Sequence, residues 1–286
     1  MLMSQVTLEA VDYQADDAKE KFVQSLRETG FGVLKNHPID QASVQAIYDT
    51  WQGWFNQDSA TKEHHLYNKG TQDGFFPARI SETAKGFTQK DIKEYFHYYP
   101  WGQCPATHQP QLDNYYQQTT AFASELLGWI EALSPPDVAA RYQEPLSNMI
   151  NGSDQTLLRV LHYPPLAGDE EAGAIRAAAH EDINLITILP AANEPGLQVQ
   201  LKDGQWADVP SDFGYLIINI GDMLQEASGG YFPSTSHRVI NPKGADMSKS
   251  RISLPLFLHP RPDVVLSGRH TAKSYLHERL TELGVI

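Results

Sequence analysis

Hydrophobic positions fall into two regimes along the chain. Up to about residue 150 the apolar residues recur at helical spacing. In 15–28, Ala18, Phe22 and Leu26 share one stripe, and Gly30 follows as a stop. In 41–55, Val44, Ile47, Trp51 and Phe55 do the same, with a short apolar run, FGVLKNH, between the two segments. The stretch 112–133 keeps the i, i+3, i+4 rhythm longest, through Leu112, Tyr115, Tyr116, Phe122, Leu126 and Ile130, until Pro135 and Pro136. Between these helices, 57–110 is expected to be rich in loops, with a turn at ETAKGF and an aromatic run, IKEYFHYYPW.

After about residue 154 the period shortens. TLLRVLHYP, AAHEDINLITIL, GLQVQLK, QWADVP, GYLIINIG, TSHRVINP and RISLPLFLHP all predict strands. Asp203-Gly204 between two alternating segments predicts a hairpin. Many short strands at near-regular spacing predict an antiparallel sandwich or barrel. TAKSYLHERLTELG predicts a closing helix capped by Thr271. The expectation is an α+β protein: a mainly helical region over 1–150 and a β region with a last helix over 151–286, packed as one body.

Composition narrows the classes. Of 286 residues, 41% are hydrophobic, enough for a sizeable core, and the net charge is −13. An acidic chain without a Lys/Arg cluster argues against nucleic acid and anionic membranes as partners. One cysteine, Cys104, rules out an intrachain disulfide and suits a reducing compartment. The acidic start lacks the apolar core of a secretory signal, and no apolar run approaches ~18 residues. A cytoplasmic location is expected.

The chemistry is concentrated in three of the predicted strands. With two-residue alternation, His180 and Asp182 point to one side and Glu181 away. An imidazole and a carboxylate converging in this way suit a divalent metal, and His237 in STSHRVINP is the candidate third ligand. Three ligands of this type leave open positions and fit non-haem Fe(II) oxygen chemistry. Taken alone, such a triplet is more often an ordinary hydrogen-bonded His–Asp pair than a metal site. Arg251 and Ser253 share a face of RISLPLF and together would hold a carboxylate. A protein carboxylate as partner of Arg251 is the alternative.

The order of these motifs resembles the isopenicillin-N-synthase-like branch of the Fe(II)/2-oxoglutarate-dependent dioxygenases. HEDINLITIL, LQVQLKDGQWADVP, GYLIINIGDMLQEASGGYFPSTSHRVINP and RISLPLF carry the likeness, and GFGVLKNHPI and ETAKGFTQKDIKEYFHYY extend it over residues 5–265. The resemblance implies a double-stranded β-helix, a cupin-like jelly roll with helices outside. It implies His180, Asp182 and His237 as iron ligands, Arg251 and Ser253 on the distal carboxylate of 2-oxoglutarate, and Tyr163 reaching that co-substrate. Leu161 stands where many plant members carry Asn. The activity implied is oxidation of a small molecule (hydroxylation, desaturation or cyclisation) using O₂, with release of succinate and CO₂ and with ascorbate as a candidate further cofactor. Two alternatives remain open at this point: an Fe(II) oxidase of the same fold that needs only O₂ or ascorbate, and an inactive jelly-roll binding protein. Oligomeric state is not legible.

Other polar residues are expected to be structural. His64 and His65 lie in a charged run, His37 in a turn, His162 on the face opposite Tyr163, and Arg238 on the face opposite His237. Arg159 shares the Tyr163 face and is a candidate substrate or co-substrate contact. The aromatics from Tyr95 to Trp101 are candidates for a roof over the site or for core.

Overall fold

The computed structural model describes residues 8–80, 91–166, 175–191, 196–241, 247–282 and 284. The ETAKGF turn falls outside these. Strands β1 (Ala10–Asp12), β2 (Phe31–Lys35), β3 (Gly74–Phe76) and β4 (Glu94–Tyr98) come from the first hundred residues. They interleave with helices α1 (Ala18–Thr29), α2 (Gln41–Phe55) and α3 (Ser59–Glu63). The long α4 (Gln109–Ala132) and the short α5 (Pro136–Ala139) and α6 (Leu146–Ile150) follow. The second half supplies β5 (Leu157–Tyr163), β6 (Ala177–His180), β7 (Ile186–Pro190), β8 (Leu197–Gln200), β9 (Trp206–Asp208) and β10 (Leu216–Ile220). Then come α7 (Asp222–Ala227), β11 (His237–Val239), β12 (Arg251–Ser253), β13 (Leu256–Leu258) and α8 (Ala272–Glu282).

The strands form two sheets, as a jelly roll requires. The larger runs β1-β2-β10-β7-β13-β5-β4-β3, with β12 also on β5, and the smaller runs β6-β11-β8-β9. Both edges of the larger sheet are therefore built by the N-terminal half, while its centre comes from the C-terminal half. Period-two alternation divides that sheet cleanly. Leu158, Val160, Ile186, Ile188, Leu216, Ile218, Leu256 and Leu258 face outward into one core with Phe22, Leu26, Trp51, Leu126 and Ile130 of the helices. Phe31, Val33 and Ile217 face inward and meet Ala177, Leu197, Val199 and Val239 of the smaller sheet. The helices thus shield one face of the large sheet, and the second sheet covers the other.

Local chemistry explains most element ends. Asp40 caps α2 by accepting from the Ala42 and Ser43 amides at 3.3 and 3.0 Å. Thr271 and Ser274 exchange reciprocal bonds at the start of α8. In the β8–β9 hairpin Gly204 takes φ 82°.

Two predicted strands are each broken. AAHEDINLITIL is β6 and β7, in different sheets, joined by a crossing at 181–185 whose backbone bonds to the start of α7: Asp222 N–H to Asp182 O at 2.7 Å, and Gly221 N–H to Leu185 O at 2.9 Å. RISLPLFLHP breaks at Leu254-Pro255, because Pro255 has no N–H for the ladder; its carbonyl accepts from Arg159 N–H at 3.0 Å. The aromatic run at 94–98, placed by its sequence in a loop-rich tract, is strand β4. Pro135 and Pro136 do end α4, but Pro136 also opens α5.

Gly30 ties the helical layer to the site-bearing segment. It ends α1 at φ 77°, a left-handed conformation, with its N–H bonded to Leu26 O. A Cβ there would lie 2.3 Å from Thr235 Oγ1 and 2.6 Å from Pro233 O, two residues before β11 begins. Gly30→Ala should therefore lower stability by about 2 kcal/mol or more through combined backbone strain and clash. A chemical denaturation curve tests this; an unchanged midpoint would refute the close approach.

Candidate metal and co-substrate site

His180 ends β6 and His237 begins β11, and the two lie directly opposite each other in the antiparallel ladder. Their ring centroids are 4.4 Å apart. Asp182 comes from the crossing between the sheets rather than from the same strand as His180. Its Oδ1 lies 3.9 Å from His180 Nε2 and 3.8 Å from His237 Nε2. All three ligand atoms fall within 4.8 Å of one another. Metal–ligand bonds of ~2.0–2.2 Å need separations only slightly tighter.

The neighbours decide which atoms face the centre. His180 Nδ1 bonds to Ala178 O at 2.8 Å and His237 Nδ1 to Thr235 O at 3.1 Å. A ring that donates from Nδ1 presents the lone pair of Nε2, as a ligand must. Phe31 packs edge-on to His237 at 5.4 Å. On Asp182, Oδ2 accepts from Asn219 Nδ2 at 2.8 Å and from the Thr187 hydroxyl at 2.5 Å, which leaves Oδ1 toward the imidazoles. Asn184 Nδ2 donates to Thr187 Oγ1 at 3.0 Å, so the hydroxyl proton is directed at Asp182. Burial alone would raise the Asp182 pKa; His237, His180 and the two hydrogen bonds outweigh it and hold the carboxyl below its usual range. The surrounding protein first, and His237 second, push His180 down to about 4. An ionised carboxylate beside an unprotonated imidazole is a donor set that fits a divalent cation. Glu181 is exposed, pointing away.

Beside this centre, Arg251 pairs with Tyr163 and Ser253 with Leu161 across β12–β5. Arg251, Ser253 and Tyr163 are all buried, and the guanidinium lies 5.7 Å from the Tyr163 ring centroid. The three side chains share the inward face. A buried cation with a hydroxyl at its side is an arrangement that suits an acid ligand.

The comparisons agree with this layout. Residues 155–260 match the model of the 2OG-Fe(II) oxygenase superfamily, and residues 6–120 match that of the non-haem dioxygenase in morphine synthesis N-terminal region. The crystal structure of a candidate oxygenase from Shewanella oneidensis is 62% identical, with a TM-score of 0.89, covering 98% of this chain and all of that one. The chain belongs to the 2OG-Fe(II) oxygenase superfamily. A candidate 2OG-Fe(II) oxygenase family protein from Caulobacter crescentus is 29% identical, with a TM-score of 0.80 over 96% of this chain and 99% of that one. The rice 2-oxoglutarate-dependent dioxygenase 11 is 27% identical over 83% of this chain, which spans only 65% of the rice protein's length.

Within this superfamily member, the aromatic run divides by parity. Phe96 and Tyr98 enter the helical core, whereas Tyr95 and His97 face inward; Tyr95 joins Phe76, Leu161 and Tyr163. Trp101 stacks on Tyr99 and is 49% exposed. His162 packs on Phe55 and bonds to Glu94, on the helical side. Arg238 lies 4.0 Å over the Trp206 ring and bonds to Gln198, on the outside of the small sheet. His37 bonds to Gly214 O in a turn contact.

Sequence reasoning missed three residues. Arg176 is 1% exposed, bonds to Lys249 O at 3.0 Å, and lies 5.8 Å from the Tyr163 ring on the side where Arg251 also approaches. It could have been found by counting back from His180 in steps of two. Thr187 and Asn219 are signalled by being polar inside otherwise apolar strands. Because both hold Asp182, Thr187→Val should weaken Mn(II) or Fe(II) affinity roughly tenfold or more. Anaerobic metal titration checks this, and equal affinities in variant and wild type would remove Thr187 from the site.

Proposed function

We propose that this protein is a non-haem Fe(II)- and 2-oxoglutarate-dependent dioxygenase that oxidises a small molecule and releases succinate and CO₂. One observation carries the proposal: a two-His, one-carboxylate cluster and a buried Arg/Ser/Tyr group open onto the same inward face of the jelly roll. In this proposal His180, Asp182 and His237 hold the iron from one side. Arg251 and Ser253 take the distal carboxylate of 2-oxoglutarate, and the Tyr163 hydroxyl bonds to the same co-substrate. Iron and 2-oxoglutarate, when bound, supply the oxidising power drawn from O₂. The chain's own contribution is orientation and dryness. The Ala178 and Thr235 carbonyls fix both rings, Asn219 and Thr187 fix the carboxylate, and Phe31, Leu161, Tyr95 and Phe76 exclude water from the wall. Leu161, where many plant members carry Asn, would offer no polar contact to the co-substrate.

The acidity of the chain and its single cysteine support a cytoplasmic enzyme whose partner is a small molecule rather than nucleic acid. Among the described residues no helix is long and apolar enough to cross a membrane.

Purified protein with Fe(II), 2-oxoglutarate and O₂ should form succinate slowly even without substrate. His180→Ala should abolish iron binding, and Arg251→Gln should weaken 2-oxoglutarate binding by roughly 10- to 100-fold, the loss of a charged hydrogen-bonded pair. If 2-oxoglutarate fails to bind wild-type protein while iron binds, the dioxygenase assignment falls and a co-substrate-independent oxidase replaces it.

A further inference from the structure

His180 and His237 belong to the same small sheet but are not held in the same way. His237 begins β11, which has β6 on one side and β8 on the other; His180 ends β6, the edge strand. The β6–β11 ladder also slips by one residue just before the ligand. His180 pairs with His237 and Ala177 with Val239, so Ala178 and Ala179 together oppose Arg238. This is a β-bulge, which bends its strand, re-aims the neighbouring side chains and takes a residue out of the ladder. A bulge on an edge strand would aim His180 only loosely unless the outer edge were also tied down.

The segment leading into β4 ties it down. Ile92 N–H bonds to Ile175 O at 3.2 Å, which lays this segment along the outer edge of β6. Asp91 Oδ1 accepts the Ala178 N–H at 3.0 Å, and both residues are buried. Asp91 Oδ2 lies 2.8 Å from Lys93 Nζ, also buried, so the ion pair turns the other carboxylate oxygen to the amide. The Ala178 carbonyl is the group that accepts from His180 Nδ1 at 2.8 Å. Asp91 thus fixes the bulged residue, and the bulged residue fixes the imidazole. A buried amide without an acceptor is unfavourable, so the bulge would reorganise if Asp91 offered none.

We propose that Asp91 is a positioning residue for the metal centre: it pins the β6 bulge through the Ala178 N–H and so sets the direction of His180 Nε2, with Lys93 holding the carboxylate in place. The proposal rests on the reading above in taking His180 as a metal ligand.

The test compares two full-length double variants of similar side-chain volume. Asp91→Asn/Lys93→Met keeps an oxygen acceptor for the Ala178 amide, and Asp91→Leu/Lys93→Met has none. Lys93 lies near enough for its charge to act on His180, and its removal is common to both. Both also remove the ion pair as a unit, so the acceptor at position 91 is what separates them. Mn(II) affinity is measured anaerobically, and the Co(II)-loaded proteins are compared by absorption spectroscopy, which reports ligand geometry rather than turnover. The Leu variant should bind Mn(II) roughly tenfold or more weakly than the Asn variant and give an altered Co(II) spectrum, while the Asn variant keeps the wild-type spectrum. Equal affinities and matching spectra in the two variants overturn the proposal. Should circular dichroism show the Leu variant unfolded, hydrogen exchange on metal-free wild-type protein decides: the Ala178 amide should exchange as slowly as amides of the β11–β8 ladder, and exchange at the rate of an open edge amide overturns the proposal. Wild-type protein that binds no Mn(II) overturns the metal-site reading together with this one, whereas matched variants on a metal-binding wild type overturn this one alone.

Discussion

A carboxylate with one oxygen spoken for organises this molecule. Asp182 lies 7% exposed between two sheets, where an ionised carboxyl is costly unless its lone pairs are satisfied. Asn219 and Thr187 satisfy Oδ2, and both belong to the large sheet; the imidazoles facing Oδ1 belong to the small one. The same residue therefore stitches the sheets together and sets the only direction from which a cation can approach all three ligands. The crossing at 181–185 is held by backbone bonds to α7, which fix the main chain that carries the carboxylate. Asn184 Nδ2 donates to the Thr187 hydroxyl oxygen and so directs the hydroxyl proton at Asp182.

The rest of the fold serves that arrangement. The N-terminal half closes both edges of the large sheet, and its helices take up the outward apolar face. Exposed strand edges and a solvated outer face would leave the inner wall free to flex. Gly30 shows the coupling at a single residue: the end of α1 presses on the 233–235 segment, and Thr235 O in turn fixes the ring of His237. A helix cap thereby reaches the ring of His237, a candidate metal ligand, in two contacts.

Much of this was legible in the sequence, for identifiable reasons. His180 and His237, and Arg251 with Ser253, could be named because polar residues inside apolar strands are rare and alternation assigns them a face; Asp182 was named with them by the same alternation, although it lies in the crossing beyond β6. Helix limits at Gly30, Asp40 and Thr271 follow local capping chemistry and came out within a few residues. What alternation could not supply was a change of sheet within one apolar run. AAHEDINLITIL has no Gly or Pro to mark the crossing, and only the tertiary bonds to α7 break it. Arg176 escaped for a related reason: its significance lies in sharing Tyr163 with Arg251, a contact between the residue just before β6 and β5 that belongs to no common ladder. The aromatic strand β4 was obscured because both its faces are buried, Phe96 and Tyr98 in the helical core and Tyr95 and His97 on the inner wall, so aromatic residues fall on both sides and polarity does not alternate.

Charge distribution gives the inner wall its character. The chain carries −13 overall, which would oppose an anionic co-substrate at a distance. Surface charges are screened beyond about 8–10 Å at physiological salt. Inside the jelly roll screening is weak and the effective dielectric low, so a few fixed guanidinium groups dominate the local field. Among the described residues, Arg251 and Arg176 flank Tyr163, Arg159 stands farther along the same strand, and Lys93, paired with the buried Asp91, approaches the Tyr95 ring, so several cations line this wall. Under the proposed function this suits the interior to an acid co-substrate, while the acidic exterior disfavours loose, nonspecific adhesion of polyanions. The choice of Arg over Lys matters here: each guanidinium lies near an aromatic ring, an arrangement that holds a planar cation in a fixed orientation and that a flexible ammonium would not reproduce.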